Sequence, residues 1–531
     1  MGSAGVGQTG ILRLAPTTAI PADVTCPATL HEHRASADPD GLCWVFGDRR
    51  WSWSDAWHDI SRFAGALRAE GVVRGDRIAF ISQYSPALVV AMHAASLIGA
   101  ANVVVDPHLT ADEMTYVLEH SGARVVFVGH EQFPRMQQFR HELVSVEKTI
   151  VMGGDHDELT PWIAAGEPIG RMEEVTPHDA CVVRYTSGTT GRPKAVVLTQ
   201  HNLLVHTRNA LSAFEYDDGD VMLLGKLMFH SCALLSAATG MAGIVVDKVD
   251  ASQLAAAIDA GLTHAFLHTT AFVELHADPR VRSGFGRLKY LAYGSSPIAV
   301  PLLEAALRAS PETRFVQVYG MNEAVALLTT LDDADHRDPA HPERLMSCGR
   351  PIRGVEIRVV NPETRDDVAP GAVGELWFRT EQTTPGYLAE PAATAELIVD
   401  GWLRSGDIGR VDGEGFVFLE DRIKDVIKAG LRSVYSAEVE RVLARHPEVL
   451  DQAVIGIPDD RLGESVHAIV VIHPGRCVSP EQLIAFAHER LASYKVPATV
   501  DVVASLPRNA SGKVLKRHLR APYWADRQRP I

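Results

Sequence analysis

Apolar positions along the 531-residue chain come in two arrangements. From about Thr29 to Phe127, and again from Cys181 to Tyr319, short unbroken apolar runs alternate with stretches of helical spacing. Unbroken runs predict strands buried on both faces, and their alternation with helices predicts layered α/β sheets with largely parallel strands. The first block supplies Arg77–Ile81, Val103–Val105 and Arg124–Val128 as strands. The second supplies Val182–Tyr185, Ala195–Leu198, Gly243–Val246, Ala265–Leu267, Tyr290–Tyr293 and Phe315–Tyr319, with Leu203, Thr207, Ala210, Leu211 and Phe214 marking a helical face. Ala87–Val105 is uncharged over nineteen residues, but His93, Ser96, Gly99 and Asn102 interrupt it, and Asp106-Pro107 follows. That predicts a helix and then a buried strand, not a membrane span.

From about Gly354 the pattern changes to short strands and turns: Val355–Val360, Gly374–Arg379, and Arg410–Leu419 around Asp412-Gly-Glu-Gly415. A small β-rich, barrel-like subdomain is expected over about 350–421. Past Asp421 an α+β pattern begins, with a helix near Ala437–Arg445 and strands at Ala453–Ile457 and His467–Ile472. Ser479-Pro-Glu-Gln482 is a capping box with proline at the first helical position, opening a helix to about Ala492. A domain boundary is therefore expected near Arg422–Lys424, separating a large domain over 26–421 from a smaller one over 425–531, with residues 1–25 as a loose arm.

Bulk properties narrow the class. A net charge of −15 argues against nucleic-acid binding, which needs a basic footprint. Residues 425–531 carry 15 Lys and Arg against 12 Asp and Glu, leaving −18 on the remainder. A slightly basic cap on an acidic body suits phosphorylated ligands, and a solvated surface equally. Six scattered cysteines without a C-x-x-C pair read as reduced thiols of a cytoplasmic protein, and no secretory signal is recognisable at the start.

The chemistry concentrates in Tyr185-Thr-Ser-Gly-Thr-Thr-Gly-Arg-Pro-Lys194. Gly188 and Gly191 let backbone N–H groups approach an anion, Thr186, Ser187, Thr189 and Thr190 add hydroxyls, and Lys194 adds charge. The run lies between two predicted strands and lacks the G-x-x-x-x-G-K-[ST] spacing that opens into a helix, so it is no Walker-type loop. Tyr319-Gly-Met-Asn-Glu323 ends a predicted strand, where α/β proteins bind ligands: Glu323 suits Mg²⁺ and Tyr319 a purine face. Asp407, after a Ser-Gly turn in Trp402-Leu-Arg-Ser-Gly-Asp407, suits the two hydroxyls of a ribose, and Arg422 the same ribose or a phosphate. Lys513, in Pro507-Arg-Asn-Ala-Ser-Gly-Lys513, suits transient charge stabilisation from a polar loop. Each of these alone is more often a solvated loop residue; His230 in Lys226-Leu-Met-Phe-His-Ser231 divides evenly between an acyl-pocket residue and a core histidine.

In this order, YTSGTTGRPK, YGMNE, GELWFR, GWLRSGD, DRIKDVIKAG and PRNASGK resemble the adenylate-forming superfamily of acyl-CoA synthetases, non-ribosomal peptide adenylation domains and luciferases, over residues 30 to 520 or so. The resemblance implies a large α/β domain with a mobile C-terminal lid that turns about Lys424. It implies ATP, Mg²⁺ and CoA, an acyl-AMP intermediate, and then an acyl-CoA thioester or transfer to a carrier protein. A non-catalytic nucleotide binder is the remote alternative.

Carried over by residue, the Thr186–Lys194 loop would grip the β,γ-phosphates, with Gly294, Ser295, Ser296, Tyr319, Gly320, Met321, Asn322, Asp407, Arg422 and Lys513 around the nucleotide. Glu323 would hold Mg²⁺; Lys513, Glu323, Lys194 and His230 would be catalytic; Phe229, His230, Gly294 and Met321 would line the acyl pocket. Amino-acid-activating relatives carry an aspartate where His230 stands, so an α-amino acid is not expected. Two positions depart from the pattern: Asn322 replaces the usual threonine, and Gly430-Leu431 replaces a glycine pair beside the pantetheine tunnel.

Overall fold

The computed structural model describes residues 20–21, 24–186, 193–217, 219–225, 229–296, 298, 300–429, 432–459, 461–508 and 513–525. Among them the strands make four sheets. The largest has the order Arg350–Pro351, Thr329–Leu331, Arg314–Tyr319, Tyr290–Gly294, His264–His268, Val221–Leu224, Ala242–Val245, Leu42–Phe46, Arg49–Ser52. A seven-stranded sheet runs Gly386–Tyr387, Lys194–Thr199, Ala180–Thr186, Ala101–Val105, Arg77–Ile81, Ala123–Gly129, Lys148–Met152. Both are parallel through their centres; the first turns antiparallel at both edges and the second at the Gly386–Tyr387 edge, its Lys148–Met152 edge staying parallel.

The helices that cover these sheets start where side chains replace missing backbone partners. Thr199, the last residue of its strand, accepts from the Asn202 N–H through its hydroxyl at 3.1 Å, and its own N–H donates to Asn202 Oδ1 at 3.0 Å. This capping box fixes the helix Gln200–Leu211 directly onto the strand end. Pro86–Leu97 is buried on every face between the sheets, which explains its membrane-like composition. No helix among the described residues is long and apolar enough to cross a membrane.

The third sheet is antiparallel and built from Glu356–Val360, Gly374–Arg379, Ile398–Val399, Trp402–Val411 and Val417–Arg422. Two pieces of this β-rich stretch lie elsewhere: Arg350–Pro351 and Gly386–Tyr387 add edge strands to the two large sheets. The fourth sheet begins at Ile427–Ala429 and includes Val449–Asp459, Gly463–Ile472 and Thr499–Val502. The helix capped by Ser479 ends at His488, short of Ala492.

One local reading is corrected. Ser405-Gly406 is no turn but an irregularity inside the Trp402–Val411 strand, where the register against Gly374–Arg379 shifts and Gly406 takes φ +68°. A bulge uses the same residue types as a turn, because both need one residue in the left-handed region.

Candidate active site

The predicted nucleotide residues converge where parallel strands end at their carboxyl termini. Thr186 closes one strand opposite Lys194 on its neighbour, and its hydroxyl donates to the Lys194 carbonyl at 3.4 Å, so the polar run leaves one strand and re-enters the next. Ser187, Gly188, Thr189, Thr190 and Gly191 lie outside the described residues. Gly294 ends a second strand and Tyr319 a third. A Cβ at Gly294 would meet the Val318 carbonyl at 2.2 Å, so only glycine lets the two strand ends close up. The Thr269 hydroxyl donates to the carbonyls of Gly294 and Ser296 at 3.0 and 2.7 Å, holding Ser295 at φ +75°. Strain of that kind concentrates at ligand sites.

Asp407 is the hub of the nucleotide side. The Tyr319 hydroxyl donates to its Oδ2 at 2.7 Å, and Arg422 Nε lies 3.0 Å from its Oδ1. The bulge aims it: Ser405 Oγ donates to the Leu376 carbonyl at 2.6 Å and accepts from the Asp407 N–H at 3.0 Å. Asp407 holds the Arg422 guanidinium above its ordinary pKa, and burial followed by the Asp407 charge raises the Tyr319 phenol well above its own. Tyr319 thus uses its hydroxyl on the carboxylate while its ring remains available to a base.

Lys513, from the far end of the chain, belongs to the same cluster. Burial first, then the Arg422 charge, brings its pKa down to about 7, with Asp407 and Asp425 opposing. Lys424 is likewise lowered by burial and then by Arg422. The short helix Lys516–Arg520 that follows Lys513 is anchored to the interdomain segment: Arg520 donates to the Lys424 carbonyl at 3.1 Å and pairs with Asp425 at 2.8 Å.

Glu323 sits buried in the 3₁₀ turn Asn322–Ala324, and the Tyr387 hydroxyl donates to its Oε1 at 2.9 Å. Lys194 Nζ lies 4.9 Å from the centre of the same Tyr387 ring, so Tyr387 joins the metal candidate to the phosphate-loop lysine. The turn is strained, with Val325 and Ala326 both left-handed at φ +54° and +72°. It is held from a segment that sequence reasoning passed over. Gln382 Nε2 donates to the Ala324 carbonyl at 3.0 Å and to that of Leu327, the Thr384 N–H donates to the Glu323 carbonyl at 2.7 Å, and Asn209 Nδ2 donates to Gln382 Oε1 at 3.1 Å.

No group of three or more His, Cys, Asp or Glu able to hold a metal exists among the described residues. A lone carboxylate fits Mg²⁺ completed by phosphate oxygens and water, and does not fit a metal caged by protein.

On the acyl side, burial and then the Arg184 and His93 charges take His230 down to about 3, so it is neutral near physiological pH. A cavity of about 50 Å³ lies nearby among His206, Phe214, Tyr216, Cys232, Leu235 and Ala292, its wall almost all carbon. His230, Gly294 and Met321 are its neighbours along the chain and not its lining, and the Phe229 side chain lies outside the described atoms. The helix Phe229–Thr239 turns Ser231, Cys232 and Leu235 toward this cavity, while Gly294 lies two residues from Ala292 of its wall and Met321 three from Val318. Leu431 also falls outside the described residues.

The chain is similar to known proteins in sequence and in fold. The family model for AMP-binding enzymes matches residues 31–388, and that for the AMP-binding enzyme C-terminal domain matches residues 438–513. The fatty acid–[acyl-carrier-protein] ligase ScoC of Streptomyces coeruleorubidus is 35% identical over 515 residues, 95% of this chain and 97% of that protein. A feruloyl-CoA synthase of an Amycolatopsis species is 32% identical over 507 residues, 92% and 97% of the two chains. ATP-bound MatB from Rhodopseudomonas palustris, at 24% identity, has the same fold, with a TM-score of 0.85 over 94% of this chain and 99% of that one. With both domains matched, the chain belongs to the AMP-binding enzyme family and is an AMP-forming acid–thiol ligase.

Proposed function

We propose that the protein activates a carboxylic acid other than an α-amino acid as acyl-AMP and then transfers the acyl group to CoA. The observation that carries this reading is Lys513: a C-terminal lysine seated beside Asp407 and Arg422, buried enough to lie near pKa 7. A carboxylate oxygen attacks the α-phosphorus of ATP, the bond to pyrophosphate breaks, and charge builds on the oxygens around phosphorus. Little covalent work is asked of the protein; positioning and charge neutralisation carry the step.

Each side chain then has a defined task. Asp407, oriented by Tyr319 and Arg422, accepts from the ribose hydroxyls, and the Tyr319 ring faces adenine. Lys194 and the loop before it hold the β,γ-phosphates. Glu323 would hold Mg²⁺, which would supply neutralisation of charge on the phosphate oxygens. Lys513 takes up a proton as the nucleotide arrives and bridges carboxylate and phosphate oxygens. After adenylation the C-terminal domain turns about Lys424, which removes Lys513 and admits the thiol. We also place the enzyme in the cytoplasm, since all six cysteines are free thiols and five of them are buried.

A second acceptor has specific support: the relative ScoC is by name a ligase to acyl carrier protein, and Leu431 puts a side chain where CoA-using relatives carry glycine. One experiment separates the two. A panel of carboxylic acids is incubated with ATP, with and without CoA, and acyl-AMP and acyl-CoA are scored separately by mass spectrometry. Conversion of adenylate to acyl-CoA is expected; adenylate that accumulates and that CoA does not consume would move the assignment to a carrier-protein acceptor. No adenylate from any acid would sink both.

A further inference from the structure

Arg184 is a cation without a protein partner among the described residues. Arg184 occupies the strand Ala180–Thr186 two residues before its end, directly across from Val196. Strand alternation puts it on the face of Val182 and Val196, both buried in the central core, whereas Val183, Tyr185 and Ala195 pack into the core on the opposite side. An arginine thus fills a position whose neighbours on that face are valines. Among the described residues its guanidinium makes no hydrogen bond and no ion pair; the charges and dipoles that reach it are those of Tyr84, Glu323, His206 and His230. Its five N–H donors lie in desolvated surroundings, which is costly unless a ligand completes them.

Its neighbours locate it. Glu323 is the metal carboxylate and His230 leads into the helix whose next turn lines the apolar cavity; His206 is itself part of the cavity wall. Lys513 is surrounded by the charges of Arg422, Asp407, Lys424 and Asp425, and Arg422 also feels Glu323. Arg184 is thus within electrostatic reach of Glu323 and of His206 in the cavity wall. The place between metal carboxylate and apolar cavity is where an acid with its tail in the cavity presents its carboxylate.

We propose that Arg184 anchors the carboxylate of the acid substrate. This rests on the adenylation reading and adds the group that holds the nucleophile. A guanidinium fork matches a carboxylate in two parallel hydrogen bonds and stays protonated throughout, so it positions the acid without exchanging a proton with it. One carboxylate oxygen forms the bond to the α-phosphorus while pyrophosphate leaves with the electrons of the broken P–O bond. The other oxygen becomes the carbonyl of the mixed anhydride, still within reach of the fork. Because Arg184 has no partner to give up among the described residues, the acid meets a ready-made anion site whose neighbouring imidazoles are neutral.

The test uses Arg184→Met and Arg184→Lys in the full-length enzyme with hexanoate, octanoate, benzoate, cinnamate and the dicarboxylate adipate. Steady-state pyrophosphate exchange and calorimetric binding of the acids are measured side by side. Arg184→Met is expected to raise the KM and Kd of every monocarboxylate that binds by about 10- to 100-fold, the loss of a charge-assisted pair, with the KM for ATP unchanged. Arg184→Lys should fall between, having charge but no fork. The unfolding temperature of Arg184→Met should equal or exceed that of wild type, because an unpaired charge has been removed from a desolvated site.

Unchanged acid KM and Kd in Arg184→Met would overturn the proposal, as would an equal rise in the KM for ATP or an effect confined to adipate, which would make Arg184 a reader of a distal group. Wild type binding none of the acids more tightly than Arg184→Met also overturns it. Acid binding that depends on Arg184 while wild type shows no pyrophosphate exchange counts against the ligase reading and leaves the anchor standing.

Discussion

The two ends of this cleft follow opposite rules. On the nucleotide side, polar groups already satisfy one another: Asp407 is shared by Tyr319 and Arg422, and Glu323 accepts from Tyr387. On the acyl side they do not. Among the described residues Arg184 has no protein partner, and both ring nitrogens of His206, His93 and His31 lack hydrogen-bond partners. A ligand that never changes can be met by groups pre-positioned on each other, which cost little when the site is empty. A site that keeps donors unpaired gives up stability for the ligand that completes it.

The comparison breaks most sharply at Lys513. Lys513→Ala should lower adenylation by about 10²–10³-fold, roughly 3–4 kcal/mol, as loss of a transition-state donor does. Pyrophosphate exchange kept within about threefold would take Lys513 out of the chemistry. Asp407→Asn keeps the shape and removes the charge that Arg422 and Tyr319 share. Its KM for ATP should rise about 10- to 100-fold with the KM for the acid unmoved, the mirror image of Arg184→Met. Equal changes in both constants would merge the two ends into one site.

Gln382→Ala should destabilise by about 1–3 kcal/mol, leaving the Ala324 and Leu327 carbonyls unmatched. Because that turn carries Glu323, the Mg²⁺ concentration needed for half-maximal activity should rise as well; a fall in melting temperature alone would make Gln382 structural only.

The unpaired side should also be the acid-labile one. Burial takes His93 down to about 3 and His206 to about 4, from 6.5 in the unfolded chain. Between those values the unfolded state binds more protons. Each histidine therefore supports folding fully above about pH 6.5, and that support is lost at about 1.4 kcal/mol per pH unit as the pH falls toward the folded value. Thermal melts from neutral to mildly acid pH should show the loss, and His206→Gln should flatten it.

The smallest effect returns to Lys513. Its pKa of about 7 in the free enzyme must rise when phosphate oxygens approach. ATP binding is then strongest below about pH 7, weakens above it, and takes up a fraction of a proton about one unit higher. Calorimetry in buffers of different ionisation heat measures that fraction, and Lys513→Met should abolish it.

Much of this was legible in the residues. Arg77–Ile81 forms a strand between the expected ends, and the Ser479 capping box starts its helix where expected. Local signals suffice where a short apolar run or a cap decides the outcome. Tyr387, Gln382 and Thr384 were not legible, because the segment from Glu381 reads as a polar loop and its importance comes from partners far away in the chain. Arg184 was hidden for a related reason: in Cys181-Val-Val-Arg-Tyr185 it reads as a strand residue, and only the packing of both faces shows that it shares the face of Val182 and Val196.

The grip of Arg520 on Lys424 has a consequence in time. Lys513, proposed to assist adenylation, and Lys424, the proposed pivot of the lid, are tied together, since the helix Lys516–Arg520 follows Lys513 by three residues and fastens to the Lys424 carbonyl. On the proposed mechanism, turning about Lys424 to receive the thiol would withdraw Lys513 in the same movement. The two half-reactions would then be kept from overlapping without any second signal, and an adenylate once made would wait behind a catalyst that has already stepped back.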